Sequence, residues 1–200
     1  MVCRLALASR HASAEPRRVA LVMSLSAGPD LFTLFQLFPP SSYLRDFDIV
    51  PADQVSPPYH KLLVHEHHMT VTVEAHYDSL VDVKVLQRKH DGNSYARKIL
   101  LALQSDGRVV QCGVVRIWLD YCSPAVRAEI LAEKTPIGRI LISHNVLRRI
   151  EPTDFFRMTP GPDMTQWFGL ATPKVTYGRL ALIHCDAKPA VELLEIVAPS

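Results

Sequence analysis

Three pairs of strand-like segments, each joined by a short link, constrain this chain more than any other feature. "MTVTVEAHY" (69–77) and "LVDVKVL" (80–86) alternate with β-branched residues on either side of Asp78-Ser79. That pattern reads as two strands and a tight hairpin. "YARKILLAL" (95–103) and "RVVQCGVVRIWL" (108–119) flank Ser105-Asp106-Gly107, a second hairpin signal. "VTYGRLALIHC" (175–185) and "AVELLEIVA" (190–198) form a third pair about Asp186 to Pro189. Links this short join antiparallel neighbours, because parallel strands need a crossover of roughly a dozen residues.

Helical signals are short and lie between the pairs. "PDLFTLFQLF" (29–38) reads as an amphipathic helix opened by Pro29 and stopped by Pro39-Pro40. "SPAVRAEILAE" (123–133) has Ser123 as cap and Pro124 in the first turn. "TPIGRILISH" (135–144) starts a further helix, with Thr135 as cap and Pro136 at its first position. Residues 39–58 hold five prolines and read as a long ordered loop, a flap over something. The expected fold class is α+β, with a single antiparallel sheet of about six strands and short helices.

Two hundred residues suit one domain, placed at 29–200, with 1–28 as an N-terminal extension. That extension is rich in Arg, Ala and Ser with one acid, Glu15. It resembles a transit peptide, but an untidy extension or an early start codon is the preferred reading. Apolar residues at 48% and charged residues at 21% place the chain among ordered globular proteins. A formal charge of +2 demands neither nucleic acid nor an anionic membrane as partner. No apolar run reaches the roughly 20 residues a bilayer span needs. The four cysteines, Cys3, Cys112, Cys122 and Cys185, form no C-x-x-C pair and are expected as reduced thiols in a cytoplasmic protein. The sheet edges admit a homodimer.

"HEHHMT" (65–70) raises the question of a metal site. On a strand, His65, His67 and Met69 would share one face, and His-x-His is a metal-ligand spacing. Further ligands would have to come from Glu74, His76 or His90. No second H-x-H, no H-E-x-x-H and no cysteine pair supports this, so surface or hydrogen-bonded histidines are preferred and no metal is expected. "DGNS" and "SDGR" read as turns, and no G-x-S-x-G nucleophile elbow occurs.

Charged residues inside apolar strand patterns say more. Arg97 shares a face with Ile99 and Leu101, Arg179 lies in "TYGRLAL", and Glu195 shares a face with Leu193 and Val197. A charge buried among aliphatics needs a partner. Either these groups pair with one another or face solvent, or they tip an apolar pocket for a small anion.

"HHMT", the strand bearing Arg97, "TPIGRIL", "YGR" and "LLEIVAP" occur in the order seen in the chorismate pyruvate-lyase family. The resemblance covers roughly residues 60–199, and Thr135–Arg139 is its most specific part. It implies flaps over a buried ligand pocket and a cofactor-free elimination of pyruvate from chorismate, leaving 4-hydroxybenzoate or a related aromatic acid. By resemblance, Arg97, Glu195 and Arg179 would be catalytic. Arg97 would hold the ring carboxylate and Glu195 would meet the ring hydroxyl. Met69, Leu147, Gly138 and Arg139 would complete the substrate site. The partner implied is a small anionic aromatic or pre-aromatic ligand. The histidine cluster and Lys98 depart from the family pattern. The alternative is a non-catalytic aromatic-acid binding protein with the same fold.

Overall fold

Residues 28–39 and 44–200 are described by the computed structural model. Apolar strand segments build one antiparallel sheet of seven strands, in the order β1-β5-β6-β7-β4-β3-β2. The strands are β1 (Leu44–Val50), β2 (Val81–Asp91), β3 (Ser94–Leu103), β4 (Val109–Trp118), β5 (Arg148–Pro160), β6 (Thr176–Cys185) and β7 (Lys188–Val197). The second and third expected hairpins are the β3–β4 and β6–β7 pairs. The described N-terminal extension begins only at Gly28, so the reading of residues 1–27 and of Cys3 lies outside the described residues.

Helices cover both faces, which is why the inner strands are buried almost continuously and do not simply alternate. One face carries α2 (Tyr59–Leu63), α3 (Met69–Tyr77), α4 (Pro124–Ala132) and α5 (Ile137–Ser143). There Leu62, Leu63, Met69 and Val73 pack on Ile99, Leu101, Tyr177 and Val197. Val126, Ile130, Ile140 and Leu141 pack in a second cluster with Val115, Ile117, Ile183 and Leu193. The opposite face packs α1 (Leu31–Gln36) and α6 (Pro162–Trp167) against Leu100, Val114, Leu180 and Leu194. Ser123 caps α4 as expected, accepting a hydrogen bond from the Val126 N–H.

Four expectations are corrected. Residues 69–77 are a helix, not a strand, and Asp78 ends it in the left-handed conformation (φ 49°) rather than turning a hairpin. Burial of Met69, Thr70 and Val73, with Val71 exposed, follows a helical face; tertiary packing overrides the β-branched composition. Residues 44–50, expected as loop, form edge strand β1 on β5. Strand β5 itself was hidden by Pro152, which sits where the register with β6 slips, before β1 begins to pair at Phe155. The caps of two helices also differ: Asp30, not Pro29, caps α1 through Thr33 N–H at 2.7 Å, and α5 starts after Pro136 with no side-chain cap.

Candidate functional site

Strand parity brings the three expected charged residues to one face. Arg97 on β3 stands opposite Val115 on β4, which stands opposite Leu193 on β7. Two residues along, Ile99, Gly113, Glu195 and Arg179 form the next row on that face. This row lies between the two hydrophobic clusters, beneath α3 and α5. Gly113 leaves the backbone close against β7: a Cβ there would strike the Leu194 carbonyl.

Arg179 is fully buried and makes an ion pair through Nε with Glu195 Oε2 at 2.7 Å. Its remaining donors reach across to the segment before α3. Nη1 donates to Leu63 O at 3.0 Å and His65 O at 2.9 Å, and Nη2 donates to His67 O at 3.2 Å. Residues 63–67 are therefore strapped onto the sheet by one guanidinium. The pairing alternative for the buried charges holds for Arg179 with Glu195.

The histidines serve that strap. His65 donates from Nε2 to Leu62 O at 2.7 Å, and its Nδ1 accepts the His67 N–H at 3.1 Å. Both ring nitrogens are thereby committed and the ring is neutral; burial, and then the Arg179 charge, pull its pKa from 6.5 to about 4. His68 accepts from Arg148 Nε at 2.7 Å, which fixes its other nitrogen as the protonated one. Burial first, then Arg148 and Arg179, hold it at about 4. Because 65–68 precede a helix, the shared strand face for His65, His67 and Met69 does not exist. Among the described residues no group of three or more His, Cys, Asp or Glu is placed to hold a metal.

Arg97 differs from Arg179. It is also fully buried, and its Nη2 donates to Thr135 O at 3.3 Å in the α4–α5 connection. Nε and Nη1 have no hydrogen-bond partner among the described residues. Burial lowers its pKa, and Tyr95 and Glu133 oppose that effect. The Tyr95 hydroxyl donates to Glu133 Oε1 at 2.6 Å, and Glu133 Oε2 accepts from Arg88 at 2.9 Å. So the nearest counter-charge is already shared by two other groups.

Met69 and Gly138 line a small cavity of about 10 Å³ with Thr70, Ile137, Arg179 and Glu195. That is about the space of one water. Arg139 makes an ion pair with Glu74 of α3 and so joins α5 to α3. Leu147 is 75% exposed and borders a separate outer groove. Lys98 faces the other side of the sheet, its ammonium 5.6 Å from the Trp167 ring centre, and does not meet the site. Residues that sequence reasoning missed are Thr135, His68 as the partner of Arg148, and Arg148 itself; their contacts span 38 and 80 residues and leave no local signal.

No protein-family model matches the chain, and no curated protein matches it in sequence. Similarity to solved structures is clear in fold. PhnF from Mycobacterium smegmatis superposes with a TM-score of 0.51 at 10% identity, over 68% of this chain and 65% of that one. The gene product SA0254 from Staphylococcus aureus gives 0.47 at 10%, over 68% and 90%. A GntR-family transcriptional regulator from Bacillus cereus gives 0.40 at 12%, over 60% and 92%. This chain thus spans just under two thirds of the PhnF chain. The fold is the chorismate lyase-like α+β fold, a single antiparallel sheet with short helices. The expected lyase activity is corrected: the solved structures named above include one described as a GntR-family transcriptional regulator and none described as a lyase, and membership of the chorismate pyruvate-lyase family is not carried by the fold. No helix among the described residues is long and apolar enough to cross a membrane.

Proposed function

We propose that this chain is a non-catalytic binding domain for a small aromatic carboxylate, with Arg97 as the carboxylate anchor. The observation that carries this reading is the fully buried Arg97 guanidinium with Nε and Nη1 unpaired. A buried cation with unmet donors costs several kcal/mol, of order 3–5 when it lacks its partner. A carboxylate would accept a charge-assisted hydrogen bond from one of those nitrogens, and Nη1 with the second proton of Nη2 offers the end-on planar fork of an arginine. Apolar Val115 beside it and Ile137 two residues beyond Thr135 would receive a ring.

The site as it stands is closed. The Arg97–Thr135 bond and the Tyr95–Glu133 bond hold the α4–α5 connection over Arg97. Ligand arrival then requires that connection to lift, which gives a sensing domain a movable part. Met69 and Gly138, on the neighbouring cavity wall, would meet the far side of the ring. Cys112, Cys122 and Cys185 are buried and unbridged, in line with a cytoplasmic location.

The test is a thermal-shift series with benzoate, 4-hydroxybenzoate and uncharged 4-hydroxybenzamide. The wild type should gain melting temperature with the two acids and not with the amide. Arg97→Gln should lose that gain. Equal gains from the amide, or a full response from the variant, would remove the carboxylate anchor.

A further inference from the structure

The wall made by His67, His68 and Ile150 has the small cavity on one side and a groove of about 740 Å³ on the other. That volume lies within the range of small-molecule sites, roughly 300–1,000 Å³. The groove holds three exposed large hydrophobic residues: Val71 of α3, Ile142 of α5 and Leu147 just before β5. Leu147, at 75%, is more exposed than any other large hydrophobic side chain among the described residues. An apolar surface gathered in one concavity, rather than scattered singly, points to an occupant.

The charges on its walls specify that occupant. Arg148 enters the groove with Nε on His68 and Nη1 on Val146 O at 3.0 Å, and Nη2 has no partner among the described residues. Arg149 also lines the groove, although its guanidinium is paired with Glu151 at 2.8 Å. Glu66 is the single acid on the lining. Arg148 is thus a lining cation with no ion-pair partner among the described residues, next to an apolar floor.

We infer that this groove binds a small amphipathic carboxylate, its carboxylate on Arg148 and its apolar part over Val71, Ile142 and Leu147. This site is distinct from Arg97, which does not line the groove, and it does not rest on the binding function proposed for Arg97. Arg148 is also the hydrogen-bond partner of His68 in the dividing wall, so an occupant on Arg148 competes with the bond that holds His68 in place.

The experiment is a calorimetric titration of the full chain with octanoate, and with octyltrimethylammonium as the oppositely charged control. Octanoate should bind to the wild type and to Arg97→Gln with similar affinity. Arg148→Gln should weaken it at least tenfold, as should Leu147→Asp, whose exposed position leaves the fold intact. Octyltrimethylammonium should not bind. Binding of octanoate to Arg148→Gln within twofold of wild type, or equal binding of the cationic surfactant, would overturn the inference. So would a protein dimer, seen by sedimentation, that buries Leu147 and persists at saturating octanoate, because the groove would then be an interface between two copies. Loss of octanoate binding in Arg97→Gln alone would likewise overturn it, by placing the carboxylate at the interior arginine.

Discussion

Arg179 and Glu195 face each other across β6 and β7, joined at 2.7 Å, and the same guanidinium holds the backbone of Leu63, His65 and His67. One buried ion pair therefore fastens the segment that opens α3 to the centre of the sheet. Glu195→Ala leaves the Arg179 charge without its carboxylate. We expect a loss of about 3–5 kcal/mol in urea unfolding. Replacing both residues, as Arg179→Met with Glu195→Leu, should cost less than the sum of the two single changes, because the double variant leaves no unpaired charge.

Arg97 should behave in the opposite way. Its guanidinium has one hydrogen bond, at 3.3 Å, and two nitrogens with no partner among the described residues. Arg97→Met removes a costly buried charge and keeps most of the side-chain volume. The ligand-free variant should unfold at the same or higher urea concentration than the wild type. A loss above about 2 kcal/mol would show that Arg97 is a structural cation like Arg179.

The contrast between these arginines shows what the sequence carries and what it does not. The sequence marks Arg97, Arg179 and Glu195 as charges inside the apolar runs "YARKILLAL", "TYGRLAL" and "ELLEIVA", and the pairing register brings them to one face. It could not separate a satisfied arginine from an orphaned one, because the backbone carbonyls that take the remaining donors of Arg179 lie 112 to 116 residues away. The helix at 69–77 was misread for a related reason. Thr70, Val71, Thr72 and Val73 favour strand locally, and only burial against Val81, Leu101 and Val197 selects the helical face. Pro152 concealed β5, and flanking prolines concealed β1, since a proline in a strand is tolerated only at edges and bulges.

Acid should weaken the fold through the histidine strap. His65 and His68 are held at about 4, below their ordinary 6.5. Between those values the unfolded chain binds more protons than the folded one, so unfolding takes up protons. Their contribution is fully present above about pH 6.5 and is lost as pH falls toward 4. Proton uptake on urea unfolding from this pair should rise from about half a proton at pH 7 to nearly two at about pH 5. His68→Gln should reduce that uptake by about one. An unchanged slope in the variant would remove His68 from the account.

Gly178 on β6 is a packing requirement. A Cβ there would run into the Phe156 ring and stand 2.7 Å from Glu195 O. Gly178→Ala should cost about 1–3 kcal/mol in unfolding free energy through this overpacking. Adding Phe156→Leu should recover part of the loss, whereas no recovery would place the strain in the β7 backbone.

The most direct measurement is the Nε–H resonance of Arg97, identified by its absence from Arg97→Lys, followed as 4-hydroxybenzoate is added. The account predicts that this signal shifts to saturation with the binding isotherm as the unpaired donor gains an acceptor, while the Arg179 signal, already on Glu195, stays in place. A saturable binding isotherm with an unmoved Arg97 signal would contradict the assignment of Arg97 as the anchor.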